Sequence, residues 1–99
     1  MPSKRKKLRL KLGEIRITPR AVDAFFAAHQ TPHKFRDRHQ AGDWGEISQQ
    51  EKAQNERALK EGLYIRSTYS LKTGVVIWIM TNPDRSKTLF LLPEEYRSG

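Results

Sequence analysis

Gly74-Val75-Val76-Ile77-Trp78-Ile79-Met80-Thr81 is the stretch on which the fold turns. Everything between its glycine and its threonine is apolar, and Asn82-Pro83-Asp84 follows at once. A run of this length, rich in β-branched residues and bounded by turn formers, reads as a strand with both faces covered. Two other segments of strand length flank it, so it takes the central place. In 63–71 the odd positions carry Leu63, Ile65, Tyr69 and Leu71, while the even ones carry Tyr64, Arg66, Thr68 and Ser70. One face of that segment is core and the other polar. Lys72-Thr73-Gly74 and Asn82-Pro83-Asp84-Arg85 are short turn links, so 63–71, 75–81 and 86–92 form a three-stranded antiparallel meander, stopped by Pro93.

Toward the N-terminus, Leu8, Leu10 and Leu12 alternate with Arg9 and Lys11, and Ile15 and Ile17 alternate with Glu14 and Arg16. The phase changes across Gly13, which predicts a first strand over 8–17 that is broken or bent there. Thr18-Pro19 opens a helix over 19–29, with Val22, Phe25, Phe26 and His29 spaced as its buried face. Thr31-Pro32 repeats the signal for a short helix over 32–40, in which Phe35 and His39 are one turn apart before Gly42. Ser48 and Glu51 form a capping box for a third helix over 49–61, which ends at Gly62 with Leu63 set to fold back on Ala58. That helix is mostly polar and belongs on the surface. The class is α+β, an antiparallel sheet with three helices on one face.

Ninety-nine residues make one domain with one modest core. There is no cysteine, which excludes disulfides, thiolate metal sites and a thiol nucleophile. No run approaches the roughly 18 apolar residues of a membrane helix, and the basic start lacks the apolar segment of a secretory signal. A cytoplasmic protein with no membrane partner is expected, and no motif calls for a cofactor. The net charge of +8 is unevenly spread: Lys4, Arg5, Lys6, Lys7, Arg9 and Lys11 occupy the first eleven positions, leaving thirteen bases against eleven acids. Residues 1–11 thus read as a basic arm on a nearly balanced body, 12–99. Such an arm suits nucleic-acid phosphates, and it equally suits a solubilising terminus.

Three constellations carry candidate chemistry. His39, with Asp43 and Glu46 in the turn around Trp44, has the composition of an acid–base pair, although Asp43 between two glycines also suits a structural turn. His29 and His33 are separated by a helix restart and do not share a face. Asp84-Arg85-Ser86 with Thr88 offers an arginine fork and hydroxyls to a phosphate, or is an ordinary turn. Arg66 lies on the polar face of its strand, where Thr68, Arg85 and either Trp78 or Tyr64 would complete a basic, base-stacking surface. Tyr96, after Pro93, reads as an anchor against the sheet.

Taken together, His39 through Glu46, Asn55-Glu56-Arg57-Ala58-Leu59 with Gly62, Ser67 and Tyr69, Ile77-Trp78-Ile79-Met80-Thr81, Asp84-Arg85-Ser86, Thr88 and Leu91 through Tyr96 resemble a family of small uncharacterised proteins from bacterial plasmids, phages and integrated elements. The likeness spans roughly 15–96 and implies a mobile-element setting. The helix-before-meander order with an arginine on a strand is also loosely similar to the barnase, colicin and RelE-like metal-independent ribonucleases. That likeness implies His39 or Glu46 as base or acid, with Arg66 and Arg85 steadying a phosphorane. The leading expectation is a basic accessory protein that uses its arm, Arg66 and Arg85 to bind nucleic acid or a host protein that handles it. A ribonuclease and a protein-binding inhibitor are the alternatives, and the sequence does not set the oligomeric state.

Overall fold

The computed structural model describes residues 8–96. In chain order they form β1 (Glu14–Ile17), α1 (Pro19–Ala28), α2 (Pro32–Gln40), α3 (Gln49–Glu61), β2 (Ile65–Ser70), β3 (Val76–Thr81), β4 (Lys87–Leu91) and α4 (Pro93–Tyr96). This is an α+β fold. The sheet order is β1-β4-β3-β2, with the expected antiparallel meander completed by β1, which runs parallel to β4 and makes the sheet mixed.

The predicted strand over 8–17 is confined to Glu14–Ile17, because the chain turns sharply at Gly13. Gly13 has φ +64°, and a Cβ there would sit 2.2 Å from the Ser86 carbonyl oxygen. Only glycine combines that conformation with that approach. The turn places Glu14 N–H on Ser86 O at 2.8 Å and starts the parallel ladder. Before it, Leu10 and Leu12 point inward and pack with Trp44, Ala58 and Ile65 in a second, smaller core.

The main core lies between the sheet and the first two helices. It holds Ala21, Phe25, Ala28, Phe35, Tyr69, Leu71, Ile77, Ile79, Phe90 and Leu92. α1 is turned from the face its sequence predicts: Val22 is 50% exposed and Phe26 83%, whereas Ala21 and Ala28 are buried. The reason is local crowding. The Phe25 ring already meets Phe35 at 5.8 Å and Phe90 at 6.2 Å, and small alanines on either side let the helix approach that aromatic layer. His29 is not in the buried face either; it closes the helix in the left-handed region, at φ 56°. α3 follows its signals. The capping box is made in both directions, and Gly62 ends the helix with its amide and that of Leu63 on the Ala58 carbonyl. Its Ala58 packs at the β2 edge of the same layer.

The central strand departs from the expectation of two covered faces. Ile77, Ile79 and Thr81 are fully buried, but Val76, Trp78 and Met80 are only half-buried. The helices α1 and α2 cover one side, α3 lies along the β2 edge, and among the described residues the other side receives the four-residue α4. α4 is held by Glu95, which accepts from the Leu92 amide at 2.9 Å and from the Thr18 hydroxyl at 2.8 Å.

Candidate functional site

The open side of the sheet is where the structure gathers accessible chemistry. Residues directly opposite in a ladder share a face. Arg16 is opposite Leu89, Leu89 opposite Met80, and Met80 opposite Arg66, so one row crosses all four strands with an arginine at each end. The neighbouring row runs Leu91, Trp78, Thr68, of which Leu91 is buried. An apolar strip, flanked by cations and carrying an indole, therefore faces outward.

At the Arg66 end the strip deepens into a concavity of about 220 Å³, lined by Glu51, Gln54, Asn55, Tyr64, Arg66, Trp78, Met80 and Tyr96. The Arg66 guanidinium lies 4.2 Å from the Trp78 ring centroid, and Tyr96 meets the indole edge-on at 5.8 Å. Stacking a cation on indole is favourable because the ring face is electron-rich. Arg66 is also ion-paired with Glu51, the residue of the capping box. The Ser48 amide, with Arg66 behind it, holds the Glu51 carboxyl below its ordinary pKa. Arg66 Nε is buried and has no protein partner among the described residues. It is a donor still unspent.

The other sequence-nominated residues are placed elsewhere. His39 is 0% exposed, on the covered side of the sheet. Its ring spans Ser67 Oγ at 2.5 Å and Thr81 Oγ1 at 2.9 Å, and Thr81 continues to Thr88 Oγ1 at 2.8 Å. Thr88 donates to the Leu12 carbonyl at 2.7 Å, which uses its single proton and fixes the direction of the chain. Thr81 must then donate to Thr88, His39 Nε2–H to Thr81, and Ser67 to His39 Nδ1. The imidazole is neutral, and burial, with the Arg85 charge second, pushes its pKa down to about 3. An imidazole enclosed in this way reaches no substrate at the surface.

Arg85 holds the end of α3. It donates to the carbonyls of Ala58 at 2.8 Å and Leu63 at 2.6 Å, a cation at the negative end of the helix dipole. Thr88, nominated with it, is fully buried. Glu46 accepts from the Ser70 hydroxyl at 2.7 Å, and Asp43 is paired with Arg38 at 2.8 Å. The set His39, Glu46, Arg66 and Arg85 thus does not meet on one accessible surface. Within the arm, Arg9 is bidentate to Glu56 at 2.7 and 3.0 Å and lies over Trp44, so it fastens the segment to α3. Lys11 is exposed. Lys4, Arg5, Lys6 and Lys7 lie outside the described residues.

Arg16, Leu89 and Glu51 were not read from the sequence as site residues. Arg16 carried only the signal of a polar position in an alternating strand; its partner Leu89 is 73 positions away, and only the parallel β1–β4 pairing joins them. Among the described residues no three His, Asp or Glu side chains converge as a metal ion would require, and no helix is long and apolar enough to cross a membrane. Comparisons with family models, curated proteins and solved structures gave no match, so the open face is interpreted from its own geometry.

Proposed function

We propose that this protein binds single-stranded nucleic acid across the open face of its sheet, as a non-enzymatic accessory protein of a mobile element. The observation that carries the reading is the Arg16-Leu89-Met80-Arg66 row with Trp78 beside it. Flat bases seek an apolar and aromatic floor, and the strand's phosphates seek cations at its margins. The row supplies both across four adjacent strands. The unspent Arg66 Nε and the concavity at Tyr64 and Tyr96 give an incoming acceptor a donor and a base a place to stack. The basic positions Lys4, Arg5, Lys6 and Lys7 add sequence-independent attraction.

Fluorescence anisotropy with labelled single-stranded RNA and DNA oligonucleotides across a salt series tests this. Binding should weaken steeply with salt, and Arg66→Ala should reduce the slope of log K against log salt by about one. Trp78→Ala should weaken binding by about 1–3 kcal/mol, the worth of one stacked base. Binding of neither polymer at low salt, or binding indifferent to both substitutions, would defeat the proposal for this face.

A further inference from the structure

The two edges of the sheet are treated differently. On β2 the backbone groups of Arg66, Thr68 and Ser70 face outward, and the first two are occupied. Asn55 takes Arg66, its amide donating to Arg66 O at 3.0 Å while Oδ1 faces Arg66 N–H at 3.4 Å. The 44–46 turn takes Thr68: Thr68 N–H donates to Trp44 O at 3.1 Å, and Glu46 N–H donates to Thr68 O at 2.7 Å. Gly45 makes that approach possible, since at φ +75° a Cβ would lie 2.1 Å from Thr68 O. A further strand cannot pair along 66–68.

Among the described residues β1, the opposite edge, has no such cover. Its ladder to β4 is bracketed by Glu14 N–H on Ser86 O and Thr18 N–H on Phe90 O. Parallel pairing alternates, so Glu14, Arg16 and Thr18 face β4, and the amides and carbonyls of Ile15 and Ile17 face away from it. Ile15 is also 39% exposed. An open edge bearing apolar side chains is a template for another strand.

We infer that β1 pairs antiparallel with β1 of a second copy of this chain, about a two-fold axis at Ile15. The argument for that occupant is charge. With Ile15 opposite its own copy, Glu14 of each chain falls opposite Arg16 of the other, on the open side of the sheet. These side chains already pair within the strand at 2.9 Å, and the dimer extends them into an alternating square of four charges. A parallel pairing in register would instead set like charges side by side. On the covered side, Ile15 and Ile17 line a groove of about 160 Å³ with Pro32, His33, Arg36 and Phe90, and the partner's isoleucines would close it. An isologous contact of this kind is closed and stops at two. The inference does not depend on nucleic-acid binding.

Sedimentation velocity over a concentration series tests it. The intact protein should sediment as a dimer that dissociates on dilution. Arg16→Glu and Glu14→Arg should each weaken dimerisation by about tenfold or more, by placing like charges opposite each other. Each variant should keep the circular dichroism spectrum of the parent, since both positions are exposed. Mixing the two variants should restore a dimer, because a strand carrying carboxylates at both positions would then face a strand carrying guanidinium groups at both. The double exchange within one chain should restore it too. A protein that is monomeric throughout overturns the inference. So does a dimer that neither single exchange weakens, or one that the mixture fails to recover.

Discussion

The two faces of the sheet are made of opposite materials from what their surroundings would suggest. The covered face holds a continuous polar chain, Ser67-His39-Thr81-Thr88, inside a wall of Tyr69, Ile77, Ile79 and Phe90. The open face presents Trp78, Met80 and Leu89 to solvent between two arginines. Buried polar groups and exposed apolar strips are the two departures from ordinary burial that call for a reason. Inside, the reason is satisfaction: every hydroxyl and both ring nitrogens have partners, and the chain ends on a backbone carbonyl, so enclosing it leaves nothing unpaired. Outside, no such closure exists, and the strip is the part of the molecule suited to a ligand.

The largest test of this contrast compares neighbours on β3. Ile79→Ala should cost about 2–5 kcal/mol of unfolding free energy, as deletion of a fully buried aliphatic side chain does. Trp78→Ala, which removes a larger but half-exposed group, should cost only about 1–2 kcal/mol. Urea unfolding of both variants gives the comparison directly. Equal losses would mean that Trp78 is part of the core.

Acid provides the next test, through His39. Its ordinary pKa is 6.5 and its folded value is pushed down to about 3. Between these values the unfolded chain binds a proton that the folded chain refuses. Stability is therefore complete above about pH 6.5 and is lost as pH falls toward 3. The carboxyls held down in the fold, Glu51, Glu56, Asp84 and Glu95, have ordinary values of 4.5 or below, so the upper part of this window belongs to His39. Unfolding free energy should fall by about 2 kcal/mol from pH 6.5 to 4.5, the slope approaching 1.36 kcal/mol per pH unit once the pH is below 6.5. His39→Gln should flatten that slope; a slope unchanged in the variant would assign it to another group.

The smallest effect sharpens the open face. Glu51 competes for Arg66 with any incoming phosphate, and the pair is about one-third exposed on each side. Glu51→Gln should release the guanidinium and tighten oligonucleotide binding about two- to fivefold, the range of an exposed ion pair. Weaker binding would show that Glu51 supports the site by holding Arg66 over Trp78.

What the sequence determined on its own is whatever short windows encode. The capping box of Ser48 and Glu51, the Gly62 ending, the proline starts at Pro19 and Pro32 and the period-two alternation of β2 are each complete within a few residues. They sufficed for the α+β class and for the first three helices within a residue of those observed, but not for α4. The bend at Gly13 was legible for the same reason. Tertiary structure decided the rest because the deciding contacts are distant in the chain. Phe25 against Phe90 rotated α1 away from its own periodicity, and Leu12 with Ser67, Thr81 and Thr88 drew His39 inside, where it is no surface base. The pairing of Glu14 with Lys87 brought Arg16 into line with Arg66 and made β1 the open edge. No local pattern carries such pairings, since an alternating strand has the same sequence whichever neighbour it acquires.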